Sequence, residues 1–292
     1  MSGIVDPGLQ AGARAPGSRR SERSRGGTLG PAGTVAAAVV VVAVVAAVWP
    51  ALLGGGDPLA VHPADALAAP GPAHPFGTDE SGRDVLTRVV AGTRASLVVG
   101  VLATLVGGFA GIVLGTLAGL GGRVVDAVVG RVTEVAFALP LLLVALVVIA
   151  VTGPGAVPAT LAVGFATAPG YARIVRALVR TARSSQVVET AVLQGRSPGR
   201  ILLRHVLPAA LWPVVAVATL GVGQAVVWAS ALSYLGVGTP PPAPEWGAML
   251  ADGRTYLLTA PWMSTFPGLA IVVLATAVTV LGRAVRRAGA AR

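Results

Sequence analysis

The chain has 292 residues, of which 54% are hydrophobic and only 12% charged, with a mean hydropathy of +0.78. Soluble domains carry about 25% charged residues, so the solvent around most of this fold is lipid. The formal net charge is +10; all 22 basic residues are arginine, and cysteine is absent. Lacking lysine, the chain has no Walker-type phosphate loop, Schiff-base nucleophile or Ser-x-x-Lys site, and is not itself an ordinary ATPase. Lacking cysteine, it has no disulfide, thiolate zinc site or iron–sulfur cluster. The arginines sit in short segments between apolar runs and not on an aromatic-interleaved basic face, which argues against nucleic acid as a partner.

Residues 1–32 are rich in Gly, Pro and Ser and carry Arg14, Arg19, Arg20, Arg23 and Arg25. The segment is too polar to bury a core and is expected to be a disordered tail. Thr34 to Leu53 is an apolar run of about the 20 residues that a helix needs to cross a bilayer, with Trp49 and Pro50 at its interface end. A cleaved signal peptide would have a shorter apolar core and a small-residue cleavage site, so a retained helix over 33–53 is expected. A polar, Pro-rich loop follows over 54–95. The same length rule predicts spans at Ser96–Leu120, Val132–Thr152, Ala156–Val175, Ala209–Leu235 and Ser264–Val285. These five make a core over 96–287, with a connecting loop at 183–208 and a terminal segment 288–292.

The arginines orient this scheme, because short cytoplasmic loops hold the excess of positive charge. With the N-terminus inside, the tail, the loop at Arg123 and Arg131, the stretch Arg173 to Arg204 and the C-terminus together hold 18 of the 22. The outer side keeps Arg83, Arg88, Arg94 and Arg254, offset by Asp57, Asp65, Asp79, Glu80 and Asp84. Both ends are thus expected inside, which requires an even number of spans: an all-α integral membrane protein with six transmembrane helices.

Within the second span, Gly107, Gly111, Gly115 and Gly119 recur at i, i+4 and line one helix face without side chains. Such a face lets another backbone approach closely, and close van der Waals contact is a main source of helix association in lipid. A helix-packing seam is expected there. Pro140 and Pro169 each remove a backbone donor and are expected to bend or end a helix. Gln224, inside the fifth span, needs a polar partner and is assigned to a translocation path or to packing against another helix.

The longest charged stretch reads as helix, break, helix. Val187, Val188, Ala191 and Val192 share a face, Gly195 and Gly199 permit a sharp turn, and Ile201 and Leu202 resume the helix before Pro208. The pattern Glu189-x-Ala191, Gly195, Ile201 and His205-x-Leu207-Pro208 resembles the cytoplasmic EAA loop of ABC-importer permeases, which forms their coupling helix. The segment His74-Pro-Phe-Gly77-Thr-Asp79-Glu-Ser-Gly82-Arg83-Asp84 is similar to the approach to the second helix in dipeptide, oligopeptide and nickel permeases. The segments Leu232-Ser-Tyr-Leu-Gly236, Glu245-Trp246-Gly247 and Ala260-Pro-Trp262 through Gly268 resemble their fifth-to-sixth connection. Two positions depart from the pattern: Thr190 replaces the second alanine, and Ala229 stands where relatives often carry an acidic residue, a change that would alter the path. The C-terminal segment also lacks an acidic tail ending.

The resemblance implies the six-helix fold of type I importer permeases in a bacterial cell membrane, importing di- or oligopeptides or nickel chelates. It implies a homologous second permease, separate ATP-binding subunits that hold ATP and Mg, and an extracytoplasmic substrate-binding protein. On this reading Glu189 makes polar contacts to the ATPase, and Val192, Leu193 and Ile201 anchor the loop to it. Gly195 permits the coupling turn, and His205, beside Pro208, makes a helix-start or interface hydrogen bond in preference to binding metal or acting as an acid–base catalyst. Asp79, Arg83 and Asp84 either contact the binding protein or brace their own loop. An intramembrane enzyme, a hydrolase, is the main rival of a different class: Gly54-Gly-Gly56-Asp57 matches a Gly-x-Gly-Asp string but has no Tyr-Asp partner, and His62, His74 and His205 form no metal site. A channel or structural membrane protein is the second rival.

Overall fold

The computed structural model describes residues 30–54 and 56–290. The arginine-bearing part of the tail and the last two residues, Ala291 and Arg292, lie outside the described residues. The described fold is helical: α1 (Pro31–Val48), α2 (Val85–Leu120), α3 (Gly122–Ala138), α4 (Leu141–Thr152), α5 (Ala156–Arg183), α6 (Gln186–Leu193), α7 (Pro198–Ile201), α8 (Leu207–Tyr234), α9 (Trp246–Gly253) and α10 (Trp262–Ala290).

Helix α1 opens on Pro31, whose fixed φ suits a first turn. Helix α2 begins eleven residues before the predicted span, at Val85, where the Asp84 carboxylate accepts a bond from the Thr87 N–H. At about 1.5 Å per residue its 36 residues run well beyond the ~30 Å hydrocarbon core. The extra turns read as polar because they carry Thr87, Arg88, Thr93 and Arg94, yet Arg88 is only 2% exposed. Its guanidinium donates to the carbonyls of Pro58 and Pro242.

The predicted third span is broken: α3 and α4 meet at 99°. Pro140 cannot donate into the ladder, and Leu139 before it takes the extended conformation (φ −95°, ψ 138°) that the proline ring imposes. Pro169, in contrast, lies inside a continuous α5. Four helical segments are long and apolar enough to cross a membrane, Pro31–Val48, Val85–Leu120, Pro198–Tyr234 and Trp262–Ala284, and the bent pair makes a fifth if counted as one. Helix α5 falls short on composition because it spends its apolar surface on protein. Ala162, Val163, Val175 and Val179 are all 1% exposed or less.

The α2–α5 pair is the backbone of the packing. A Cβ on Gly107 would lie 2.7 Å from the Gly164 carbonyl oxygen; one on Gly115, 2.6 Å from that of Ala172; one on Gly119, 2.6 Å from Val179. At Gly111 it would collide with Tyr171. All four glycines therefore face α5, at a separation that only a missing side chain allows. Three apolar clusters follow along the bundle. One gathers Val85, Trp246, Met249 and Met263, a middle one Ala103, Ile149, Val163 and Leu232, and a third Val175, Val179, Ile201 and Val214 at the end where the 183–208 loop emerges.

Candidate functional site

The loop at 183–208 folds into an arm. Helix α6 buries Val188 and Ala191 against Val175 and Val179 of α5 and Val206, Ala210 and Val214 at the root of α8. Its end is fixed by hydrogen bonds: the Gly195 N–H donates to the Val192 carbonyl and the Arg196 N–H to that of Ala191. This pairing requires a left-handed residue after the helix, and Gly195 has φ +70°. Gly199 makes no part of the turn; it lies in the first turn of α7. There Pro198 takes the first helical position, where a missing N–H costs nothing.

The chain then passes into α8 through one π turn over Leu202–Val206, closed by the Leu207 N–H on the Leu202 carbonyl. Pro208 sits just past this turn. Having no N–H, it leaves the Arg204 carbonyl without its helical donor, which favours the wider turn. His205 is tied across the arm, its Nε2 3.2 Å from an Arg196 guanidinium nitrogen that donates to it.

The outward surface of the arm is apolar at its tip. Val187, Val192, Leu193 and Leu203 are 60%, 58%, 83% and 68% exposed, while Glu189, Arg200 and Arg204 are also exposed around them. Ile201 is different: at 7% exposure it packs inward with Val188 and Val206. It anchors the arm to its own chain, not to a partner, because its face of α7 points at the α5–α8 root. An open groove of about 460 Å³, lined in part by Leu120, Val188, Val192 and Leu202 and flanked by Arg183 and Arg196, runs beside the arm.

A second feature at this end lacks a local signal in the sequence. Asp126 of α3 takes a fork from Arg176, with its second bond at 2.7 Å, and a further bond from Arg180. Both arginines stand one turn apart on α5, just before the arm begins. Their i, i+4 spacing suggests a shared carboxylate, but the carboxylate lies 50 residues earlier and no periodicity points to it.

At the opposite end, Asp79 is 5% and Arg83 8% exposed, and they pair at 2.8 Å. The Asp79 carboxylate also accepts the N–H groups of Ser81 and Arg83, and its other oxygen lies 3.6 Å from Arg88. Asp84 caps α2 and holds His74 at 2.9 Å. Within the chain these contacts tie the cluster to its own loop and to the start of α2. Asp252 of α9 borders the same cluster, and burial, reinforced by Glu80, pushes its carboxyl pKa up. Glu245 is 3% exposed and caps α9 through the N–H groups of Gly247 and Ala248.

Three remaining expectations are also placed. Asp57 is exposed and accepts a bond from the Leu59 N–H, an ordinary turn contact. Ala229 is 5% exposed in the middle cluster with Ala103, Ala162 and Leu232, so its small side chain serves packing. Gln224 is exposed on α8 beside α10.

The chain is thus a helical bundle with several helices long and apolar enough to cross a membrane and a helix–glycine–helix arm between α5 and α8. Residues 111–288 match the family described as binding-protein-dependent transport system inner membrane component. The dipeptide transport system permease protein DppC of Alkalihalophilus pseudofirmus is 36% identical over 227 residues, covering 78% of this chain and 75% of that one. The glutathione transport system permease protein GsiD of Shigella flexneri serotype 5b is 41% identical over 215 residues, 74% of this chain and 71% of that one. The di/tripeptide transport system permease protein DppC of Pseudomonas aeruginosa is 37% identical over 213 residues, covering 73% of this chain and 70% of that one. A chain of the MetNI methionine ABC transporter, in an inward facing conformation, shares the fold with TM-score 0.56 at 20% identity, over 69% of this chain and 95% of that one. The chain belongs to the binding-protein-dependent transport system inner membrane component family, as a permease subunit of a bacterial membrane.

Proposed function

We propose that this permease takes up short peptides or glutathione-like molecules, and that the arm at 186–206 is its docking element for an ATP-hydrolysing partner. One observation carries the reading: an arm rooted in the chain's own apolar core presents an apolar tip, with Leu193 at 83% exposure. Outside the membrane, a contiguous apolar tip of this kind marks a surface that another protein covers. The left-handed turn at Gly195 and the fixed packing of Val188, Ala191 and Ile201 make the arm rigid enough to transmit displacement to α5 and α8.

On this reading ATP and Mg are held by the partner, and this chain does no bond chemistry of its own. A second permease completes the path, and an extracytoplasmic binding protein delivers cargo. The chain crosses the membrane six times, counting the bent α3–α4 pair and α5, with both termini on the arginine-rich cytoplasmic side. The peptide cargo is preferred to nickel chelates because the relatives named above are permeases for dipeptides, di/tripeptides and glutathione. The test is uptake of labelled dipeptide and of glutathione into proteoliposomes holding the assembled complex, with binding protein added and ATP enclosed. Uptake that needs ATP and stops on Leu193→Asp supports the reading; ATP-independent flux through this chain alone returns the channel reading.

A further inference from the structure

We infer that the groove between α8 and α10 that holds Gln224, Thr276 and Thr279 is this chain's wall of the water-filled path through which a peptide passes. The inference rests on the permease reading above and names the residues that would meet the cargo. Gln224 lies ten residues from the end of α8 at Tyr234, about 15 Å along the helix axis and so well within the hydrocarbon depth. It is exposed, and among the described residues its amide has no hydrogen-bond partner. Lipid cannot supply one, so in the assembly this face meets water, cargo or another chain.

The threonines separate these cases. Thr104, Thr133, Thr152, Thr160, Thr167 and Thr219 all turn their hydroxyls back onto carbonyls of their own helix, the usual way to hide an O–H in lipid. Thr276 and Thr279 do not, and neither does Thr116, whose hydroxyl is buried; Thr276 and Thr279 are set apart because both border the same open groove as Gln224. The groove, about 380 Å³ and open, is floored by small residues, Gly223 and Ala275, so the three polar side chains rim a trench. The α2–α5 seam is built otherwise, by glycine against backbone, and the one threonine hydroxyl at Gly107, that of Thr167, is returned to the Val163 and Gly164 carbonyls. A trench with unspent neutral donors and acceptors suits a peptide backbone, which needs replacement hydrogen bonds for each amide but must not be held by charge. Arg283 stands at the other end of the groove, where it favours a free carboxylate.

The absence of cysteine permits a direct test. Single variants Gln224→Cys and Thr276→Cys, with Leu105→Cys as a comparator 60% exposed on α2 and outside the groove, are assembled in the full complex in lipid. Each is treated with a charged, membrane-impermeant thiol reagent, without nucleotide and with ATP plus vanadate, and modification of this chain is followed. The path predicts that Gln224→Cys and Thr276→Cys react at least about tenfold faster than Leu105→Cys in one of the two states, because only a hydrated thiol ionises and meets the reagent. Rates equal to that of Leu105→Cys in both states would overturn the inference in favour of a dry interface. Labelling requires no cargo, so fast labelling in a complex that imports no peptide would sink the cargo assignment and leave the path standing.

Discussion

Two glycines seven residues apart on α2 should respond in opposite directions to the same substitution. A Cβ on Gly115 would stand 2.6 Å from the Ala172 carbonyl oxygen, 2.6 Å from Val175 Cβ and 2.9 Å from the Arg176 nitrogen. Two of these are backbone atoms, so no rotamer change relieves the clash, and α2 and α5 must part by most of an ångström. Overpacking of this kind costs about 1–3 kcal/mol, against roughly 1 kcal/mol gained from alanine's better helix propensity. Gly115→Ala is therefore destabilising, by about 1–2 kcal/mol at the upper end of that range. A Cβ on Gly108 meets nothing within 4 Å, so Gly108→Ala keeps the helix gain and loses no contact. For a chain of this size each kcal/mol moves the melting temperature by about 2–4 °C, which places the two variants about 4–12 °C apart. Thermal melting of the detergent-solubilised protein, followed by loss of monodisperse material, reads the difference. Equal melting temperatures, or a more stable Gly115→Ala, would refute the close-packed seam.

Asp126→Asn should loosen α3 from α5 and lower the ratio of cargo imported to ATP hydrolysed, with partial recovery when Arg176 is exchanged for Asp and Asp126 for Arg; a loss of assembly without change in that ratio would contradict it. Glu245→Ala removes two N-terminal caps of α9 and should cost about 1–2 kcal/mol, seen as a lower melting temperature. Gly195→Val forces a β-branched residue to φ +70°, at about 1–2 kcal/mol. Gly195→Asn should retain coupling where Gly195→Val loses it, since open space surrounds the site and only the backbone conformation is at stake. Burial raises the Asp252 pKa in the folded protein, so the native state holds that proton more tightly than the unfolded chain. Its destabilising effect is absent below the ordinary value of 3.8 and grows as pH rises through the shifted one. Asp252→Asn should accordingly raise the melting temperature at pH 7 and leave it unchanged near pH 3; the reverse pattern would show that Arg88 and Arg83 outweigh burial.

Features that repeat along the chain were legible in the sequence, and features that depend on distant partners were not. Gly107, Gly111, Gly115 and Gly119 announce a seam because their period matches the helix; that α5 fills it could not be read. Pro140 marks a break, and the extended Leu139 follows from it, but the 99° angle is set by what α3 and α4 pack against. The turn at Gly195 is visible in the sequence, while Ile201, an apolar residue in an exposed-looking loop, reads as outward and turns inward. Its direction depends on Val175 and Val206, which only the fold brings near. Arg88 and Asp79 likewise read as outer-loop charges, although each is nearly fully buried against carbonyls or the other's charge. Ala156–Val175 reads as a span by length, but its Pro158, Pro169, glycines and threonines leave α5 less apolar than the other spans.

The central claim is that the arm at 186–206 docks on an ATPase through its apolar tip. The complex is purified through a tag on this chain, co-expressed with the ATP-binding subunits of its own transport system, for wild type, Leu193→Asp and Leu258→Asp, the last carrying the same substitution at a fully exposed loop residue before α10, away from the arm. The account predicts that the ATPases co-purify with wild type and Leu258→Asp and are lost with Leu193→Asp, while the chain itself stays monodisperse. ATPases that remain bound to Leu193→Asp as firmly as to wild type would contradict it.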